Sequence, residues 1–249
     1  MRYMIVAMMV ILAGASFAVA APGSPSVAIN FGADEPPGVG SPVTGSAGVL
    51  GTVNWNNVSL ASGVVAGLIA DIGGAPNPSP VSVEWSSPNT WSSTGRGEEN
   101  NTAPPGNNRN LMTGYIDTGD VNGPTANVTL SGIPAEVVPF GYDVYVYMQS
   151  GVNGRGGDYT IGSVTKPDMV VSAFNGTFIE GPEGNYLLFN DVNLPGGFSL
   201  MSKASPNGFR APINGMEVVA NVPEPSSLVL VALGAASLVC LGRRRTRSR

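Results

Sequence analysis

Tyr142-Asp143-Val144-Tyr145-Val146-Tyr147 decides the fold class. Apart from Asp143, every residue is aromatic or β-branched, types that pack well on a pleated strand and crowd a helix. Side chains alternate between the two faces of a strand, and bulky apolar groups fall on both faces here, so the segment reads as a central strand covered on each side. Three residues further on, Gly151-Val152-Asn153-Gly154-Arg155-Gly156-Gly157-Asp158 supplies a flexible turn before Tyr159 resumes strand character. An antiparallel hairpin between the two strands is expected.

Outward from that segment the pattern repeats. Ser26-Val27-Ala28-Ile29-Asn30-Phe31 alternates and is β-branched, and a long Gly/Pro/Ser loop over 32–51 follows it. Further strands are expected at 52–60, 81–85, 126–130, 159–161, 169–171, 186–189, 198–201 and 213–219. Residues 60–72 read as a helical turn or two, weakened by Gly63, Gly67 and the Val64-Val65 pair. With 34 glycines and 21 prolines in 249 residues, turns are frequent and long helices are disfavoured between the two ends. The expected fold is all-β, a single β-sandwich over 21–221.

Four phrases carry a family resemblance: Ile29-Asn30-Phe31-Gly32, Asn54-Trp55-Asn56-Asn57, the 142–147 strand, and Ile213-Asn214-Gly215-Met216-Glu217-Val218-Val219. They are similar to exported bacterial domains with a galactose-binding-like jelly roll. That resemblance implies a scaffold hosting many functions, with glycan binding favoured but no site located.

The two ends read as address labels. Met1-Arg2-Tyr3-Met4 carries one positive side chain, an uncharged apolar run covers 5–15, and Ala18 and Ala20 are small residues at peptidase spacing before Pro22-Gly23. A signal helix over 1–20, cleaved after Ala20 or Ala21, is expected. At the other end Val222-Pro223-Glu224-Pro225-Ser226-Ser227 precedes an uncharged stretch, 228–242, and then Arg243, Arg244, Arg245, Arg247 and Arg249. Fifteen helical residues rise about 22 Å, short of a hydrocarbon core of about 30 Å. Arginine side chains that snorkel to the headgroups make up the difference and remain cytoplasmic. Pro223-Glu224-Pro225, an apolar helix at 228–242 and a terminal arginine cluster resemble a PEP-CTERM sorting signal over 222–249. The resemblance implies an exosortase as partner, removal of the transmembrane helix, transient membrane anchoring at the C-terminus, and release to the cell envelope or extracellular matrix.

Without those labels the domain keeps six bases, Arg96, Arg109, Arg155, Lys166, Lys203 and Arg210, against sixteen acids, a net charge of −10. That sign opposes nucleic acid as a partner. Histidine is absent and Cys240, the one cysteine, lies in the tail, which removes Ser-His-Asp and Cys-His triads and histidine-bearing zinc sites. Enzymatic chemistry is left to carboxylates, tyrosines, lysines or a hard cation held by oxygen.

Three tryptophans offer faces on which a sugar ring stacks. Trp85 ends the alternating Val81, Val83, Trp85 face and is expected in the core. Trp91 lies among Ser, Thr, Asn and Gly in an expected exposed loop and is the first glycan-binding candidate, with Trp55 the second. Asp117-Thr118-Gly119-Asp120-Val121-Asn122-Gly123 brings Asp117, Asp120 and Asn122 together as oxygen ligands for Ca²⁺, the one cofactor the sequence suggests. A plain Asp/Asn/Gly turn accounts for that stretch equally well. The expected function is therefore a non-enzymatic, exosortase-sorted surface or matrix protein associating with extracellular polysaccharide. A carboxylate-dependent glycoside hydrolase or lyase drawing on Asp34, Glu98, Asp117 or Asp158 is one alternative, and a structural coat protein without ligand is the other.

Overall fold

The computed structural model describes residues 24–32, 41–95, 97–119, 125–134, 140–205 and 210–221. The expected signal helix at 1–20 and transmembrane helix at 228–242 lie outside them. Among the described residues no helix is long and apolar enough to cross a membrane.

The chain is all-β. One sheet runs in the order β13 (Tyr186–Val192), β10 (Tyr142–Tyr147), β15 (Gly215–Ala220), β1 (Ser26–Phe31), β4 (Ile69–Ile72), β5 (Ala75–Pro78), with β2 (Trp55–Val58) pairing parallel to β1. The second sheet runs β12 (Val164–Met169), β11 (Gly156–Ile161), β14 (Gly197–Ala204), β9 (Ala126–Ser131), β6 (Ser82–Ser86), β3 (Ser62–Val65), antiparallel throughout. A two-stranded sheet, β7 (Asn89–Ser92) with β8 (Gly114–Asp117), and a single turn of helix, α1 (Asn107–Leu111), fill the excursion between β6 and β9.

The two larger sheets pack face to face. Ile29, Phe31, Val144 and Met216 of the first meet Val83, Trp85, Tyr159 and Leu200 of the second in one buried cluster. This is the packing of a β-sandwich, each sheet burying one apolar face against the other. Trp85 is core as expected: it meets the Phe31 ring edge-on at 6.1 Å and donates its indole N–H to the Leu60 carbonyl at 3.0 Å. Gly63 makes room for it, since a Cβ there would sit 2.4 Å from the indole.

The first sheet is covered on its outer face as well. Tyr145, Tyr147, Trp55 and Val219 form a second buried cluster with Leu111 and Phe174 from the loops and α1. Strands β1, β10 and β15 are in consequence buried at every residue, which fulfils the reading of 142–147 as a central strand.

Two expectations are corrected. Residues 60–72 form β3 and β4 and no helix; Val64-Val65 and the glycines favour extended backbone there. The hairpin expected between 142–147 and Tyr159 does not form. Both edges of β10 are taken by β13 and β15, and residues 148–155 instead carry the chain across to the second sheet, where β11 pairs β12 and β14.

Strand registers give the sandwich two distinct ends. At one, Ser26 lies beside Val219, and Tyr142 beside Ala220 and Val192. There the domain's first strand begins and its last strand stops, and an apolar cavity of about 250 Å³ opens between Ser26, Tyr142 and Ala220 of one sheet and Leu130 of the other. At the opposite end Asn30 lies beside Gly215, and Gly157 beside Ala204 and Asp168. The β7–β8 ribbon caps this far end through a bridge between Ile116 and Ile213.

Candidate functional site

The far end brings together a cluster of charged and aromatic groups. In the β7–β8 register Trp91 stands opposite Tyr115. The Trp91 indole N–H donates to Glu98 Oε2 at 2.8 Å. Arg155, from the 148–155 crossing, grips the same carboxylate with both arms, Nη1 donating to Oε2 and Nη2 to Oε1, each at 2.9 Å. This planar, charge-assisted fork is the strong form of a carboxylate contact. Hydrogen bonding from Arg155, the largest influence, together with its charge and the Trp91 N–H, holds the Glu98 carboxyl below the usual carboxylate range despite partial burial.

Arg210 lies over the Trp91 ring, its guanidinium carbon 5.0 Å from the centroid, within the range of a cation–π contact. Its Nη1 stands 3.6 Å from Asp117 Oδ2, too far for a hydrogen bond but close enough for charge attraction. The Arg210 backbone sits at φ 60°, a left-handed conformation that costs a non-glycine residue energy and often marks functional positions. Beneath this layer Tyr115 is wholly buried, and its hydroxyl accepts the Gly151 N–H at 3.3 Å.

Asp117, at the end of β8, is buried completely. Its Oδ1 accepts the Gly119 N–H at 2.7 Å, the local turn that an Asp-x-Gly sequence favours. Burial pushes its pKa up, a direction that the Gly119 hydrogen bond and the Arg210 charge oppose without reversing. Asp120 and Asn122, its expected partners for Ca²⁺, lie outside the described residues, among which no group of three acidic, histidine or cysteine side chains gathers as for a metal. Further into the same end, Asp168 faces Gly157 across the strand pair. It is 4% exposed, neither carboxylate oxygen has a well-formed hydrogen bond, and burial raises its pKa to about 8.

The two tryptophan candidates fare differently. Trp91 stands on strand β7 and not in the exposed loop its polar neighbours suggested; it is half-buried. Trp55 is buried, donates its indole N–H to the Thr52 carbonyl at 2.8 Å, and packs at 6.1 Å from the Tyr147 ring. Its position is that of a core residue. Of the acids considered for hydrolysis, Glu98 and Asp117 share the far end, Asp158 is exposed on β11, and Asp34 lies outside the described residues. Sequence reasoning missed Arg155, Arg210 and Tyr115. A signal existed for the first two, because a domain with only six bases has few with which to build any anion contact.

Residues 221–245 match the PEP-CTERM protein-sorting motif. The motif indicates an exported protein with a C-terminal sorting signal and implies an exosortase as the processing partner. The galactose-binding-like resemblance gains no support from a family match. No curated protein and no solved structure matches the chain.

Proposed function

We propose that this chain is a non-enzymatic exported protein of the extracellular matrix, transiently anchored and then released by an exosortase, whose sandwich associates with extracellular polysaccharide through its far end. The observation that carries the proposal is the separation of the two features. The sorting motif begins at residue 221, where β15 stops, while the Trp91, Glu98, Arg155 and Arg210 array stands at the opposite end. A domain held by its C-terminus thus turns that array away from the point of attachment.

The chemistry of the array suits a sugar polymer. An indole braced between Glu98 and Arg210 is an aromatic platform of fixed orientation. Guanidinium donors beside it fit hydroxyls and, in an acidic polysaccharide, carboxylates. The rival reading as a glycoside hydrolase draws on the opposed pKa shifts of Glu98 and Asp117, which resemble an acid and base pair. Against it, both Glu98 oxygens are committed to Arg155 and Asp117 has no exposed surface. Groups so occupied are poorly placed for acid–base chemistry on a substrate.

Co-sedimentation of the secreted protein with polysaccharide from its own host tests this reading. Trp91→Ala is expected to weaken binding by about 1–3 kcal/mol, by analogy with stacking on a nucleic-acid base, with the fold retained. Undiminished binding by a folded variant rejects the site, and a protein that binds no glycan on an array favours a structural coat protein.

A further inference from the structure

The tether end of the sandwich is apolar in a way that the far end is not. Its cavity of about 250 Å³ is lined by Ile72, Pro78, Ile133, Tyr142 and Val218 among others, with no Asp, Glu, Lys or Arg among the lining residues. Pro25, just before β1, and Ala220, the last residue of β15, lie side by side in the lining. Ile72 in this lining is 42% exposed, and Phe140, two residues before the lining Tyr142, is 52% exposed. Two of the nearby carboxylates are turned inward: Asp143 accepts the Asp191 N–H at 3.0 Å and the Asn221 amide at 3.1 Å, and Asp71 accepts from Val53, Asn54 and Gly74, whereas Asp191 is exposed.

The chain leaves this end on a short leash. Asn221 is buried, its N–H donating to the Gly141 carbonyl at 3.1 Å and its amide reaching Asp143 and Asp191. From Asn221 to Leu228, where the uncharged stretch begins, six residues intervene, and a fully extended chain of that length spans at most about 25 Å. If 228–242 lies in the bilayer, the apolar cavity is held within that distance of the headgroups, with the rest of the sandwich extending outward.

We propose that, before its tail is removed, the sandwich stands on the lipid surface on its tether end, with Phe140 and Ile72 entering the interfacial layer and the cavity mouth closed by lipid. The proposal rests on the tail being a membrane segment. An apolar surface beside an inserted helix loses water contact on docking, and attachment raises its local concentration at the membrane so that modest burial suffices. Release by processing ends that advantage, and the acidic domain departs from an anionic surface.

The test uses the full chain in its host with the exosortase gene deleted, carrying a photoreactive benzophenone amino acid at position 72, 140 or 152. Val152 is 38% exposed in the crossing at the far end and serves as the control. Irradiated membranes are expected to yield lipid adducts from positions 72 and 140 several-fold above those from 152, and to lose them when the exosortase is restored. Lipid labelling from 72 and 140 no greater than from 152, or labelling of a protein in place of lipid, overturns the docking surface. Fractionation of the same cells separates the two ideas. A chain found in membranes without lipid adducts sinks the docking surface alone, whereas a chain absent from membranes in the deletion strain sinks the membrane-anchor reading with it.

Discussion

Both oxygens of Glu98 are held by the two arms of Arg155 at 2.9 Å, joining the loop after β7 to the crossing between the sheets, 57 residues apart in sequence. Glu98→Gln removes the charge and one acceptor, leaving Arg155 and the Trp91 N–H under-paired in a partly buried place. A loss of about 2 kcal/mol is expected from the urea midpoint. Because the folded pKa of Glu98 lies below its unfolded value, the native contribution is present above about pH 4.5 and fades as pH falls through the folded pKa. The difference between native and variant should therefore shrink in acid.

Asp168 behaves in the opposite sense. Its folded pKa, about 8, stands above its unfolded value, so the folded state keeps a proton that the unfolded chain releases between about pH 4 and pH 8. Stability from this group is complete below that window and declines as pH rises through it. Asp168→Asn is expected to match the native protein near about pH 3, below the unfolded pKa, and to exceed it at about pH 9 by on the order of 2–4 kcal/mol. Equal midpoints at pH 9 contradict this.

Glu217 is buried in the outer layer of the first sheet, where its carboxylate accepts from the Thr52 hydroxyl and from Tyr147 Oη, the latter at 3.0 Å. Burial raises its pKa to about 7. Thr52 lies in the loop that covers this face, and Glu217→Ala leaves both hydroxyls without their acceptor. A cost of about 2–4 kcal/mol is expected, together with faster amide exchange across 47–53.

Gly63→Ala places a methyl group 2.4 Å from the Trp85 ring. The backbone cannot retreat without breaking the β3–β6 pairing. A loss of about 1–3 kcal/mol is expected, with a change in tryptophan fluorescence as the indole shifts.

Strands with strong local patterns were legible in the sequence. Residues 26–31 occupy β1 with the bounds that β-branched alternation suggests, and 142–147 is the doubly covered strand its side chains imply. Pairing was not legible there, since an apolar strand states that it is buried without naming its neighbours. Asn89-Thr90-Trp91-Ser92 reads as loop because its strand is imposed by β8 and by the Ile116–Ile213 bridge, not by its own propensity. β5, Ala-Pro-Asn-Pro, is an edge strand, where proline's missing donor costs nothing. At the far end, Trp91 carried a signal of its own, but Arg155 and Arg210 reach it from distant segments and only the folded chain brings them together. The tail is the reverse case: Pro223-Glu224-Pro225, an uncharged stretch and five arginines are written in consecutive residues, and the sorting motif matches there.

Intact-mass analysis of the protein recovered from its host, with the exosortase present and deleted, tests the central claim most directly. The account predicts that residues beyond about Val222 are lost only where the exosortase is present, and that the shortened chain leaves the membrane fraction. A chain still ending at Arg249 in both strains contradicts it.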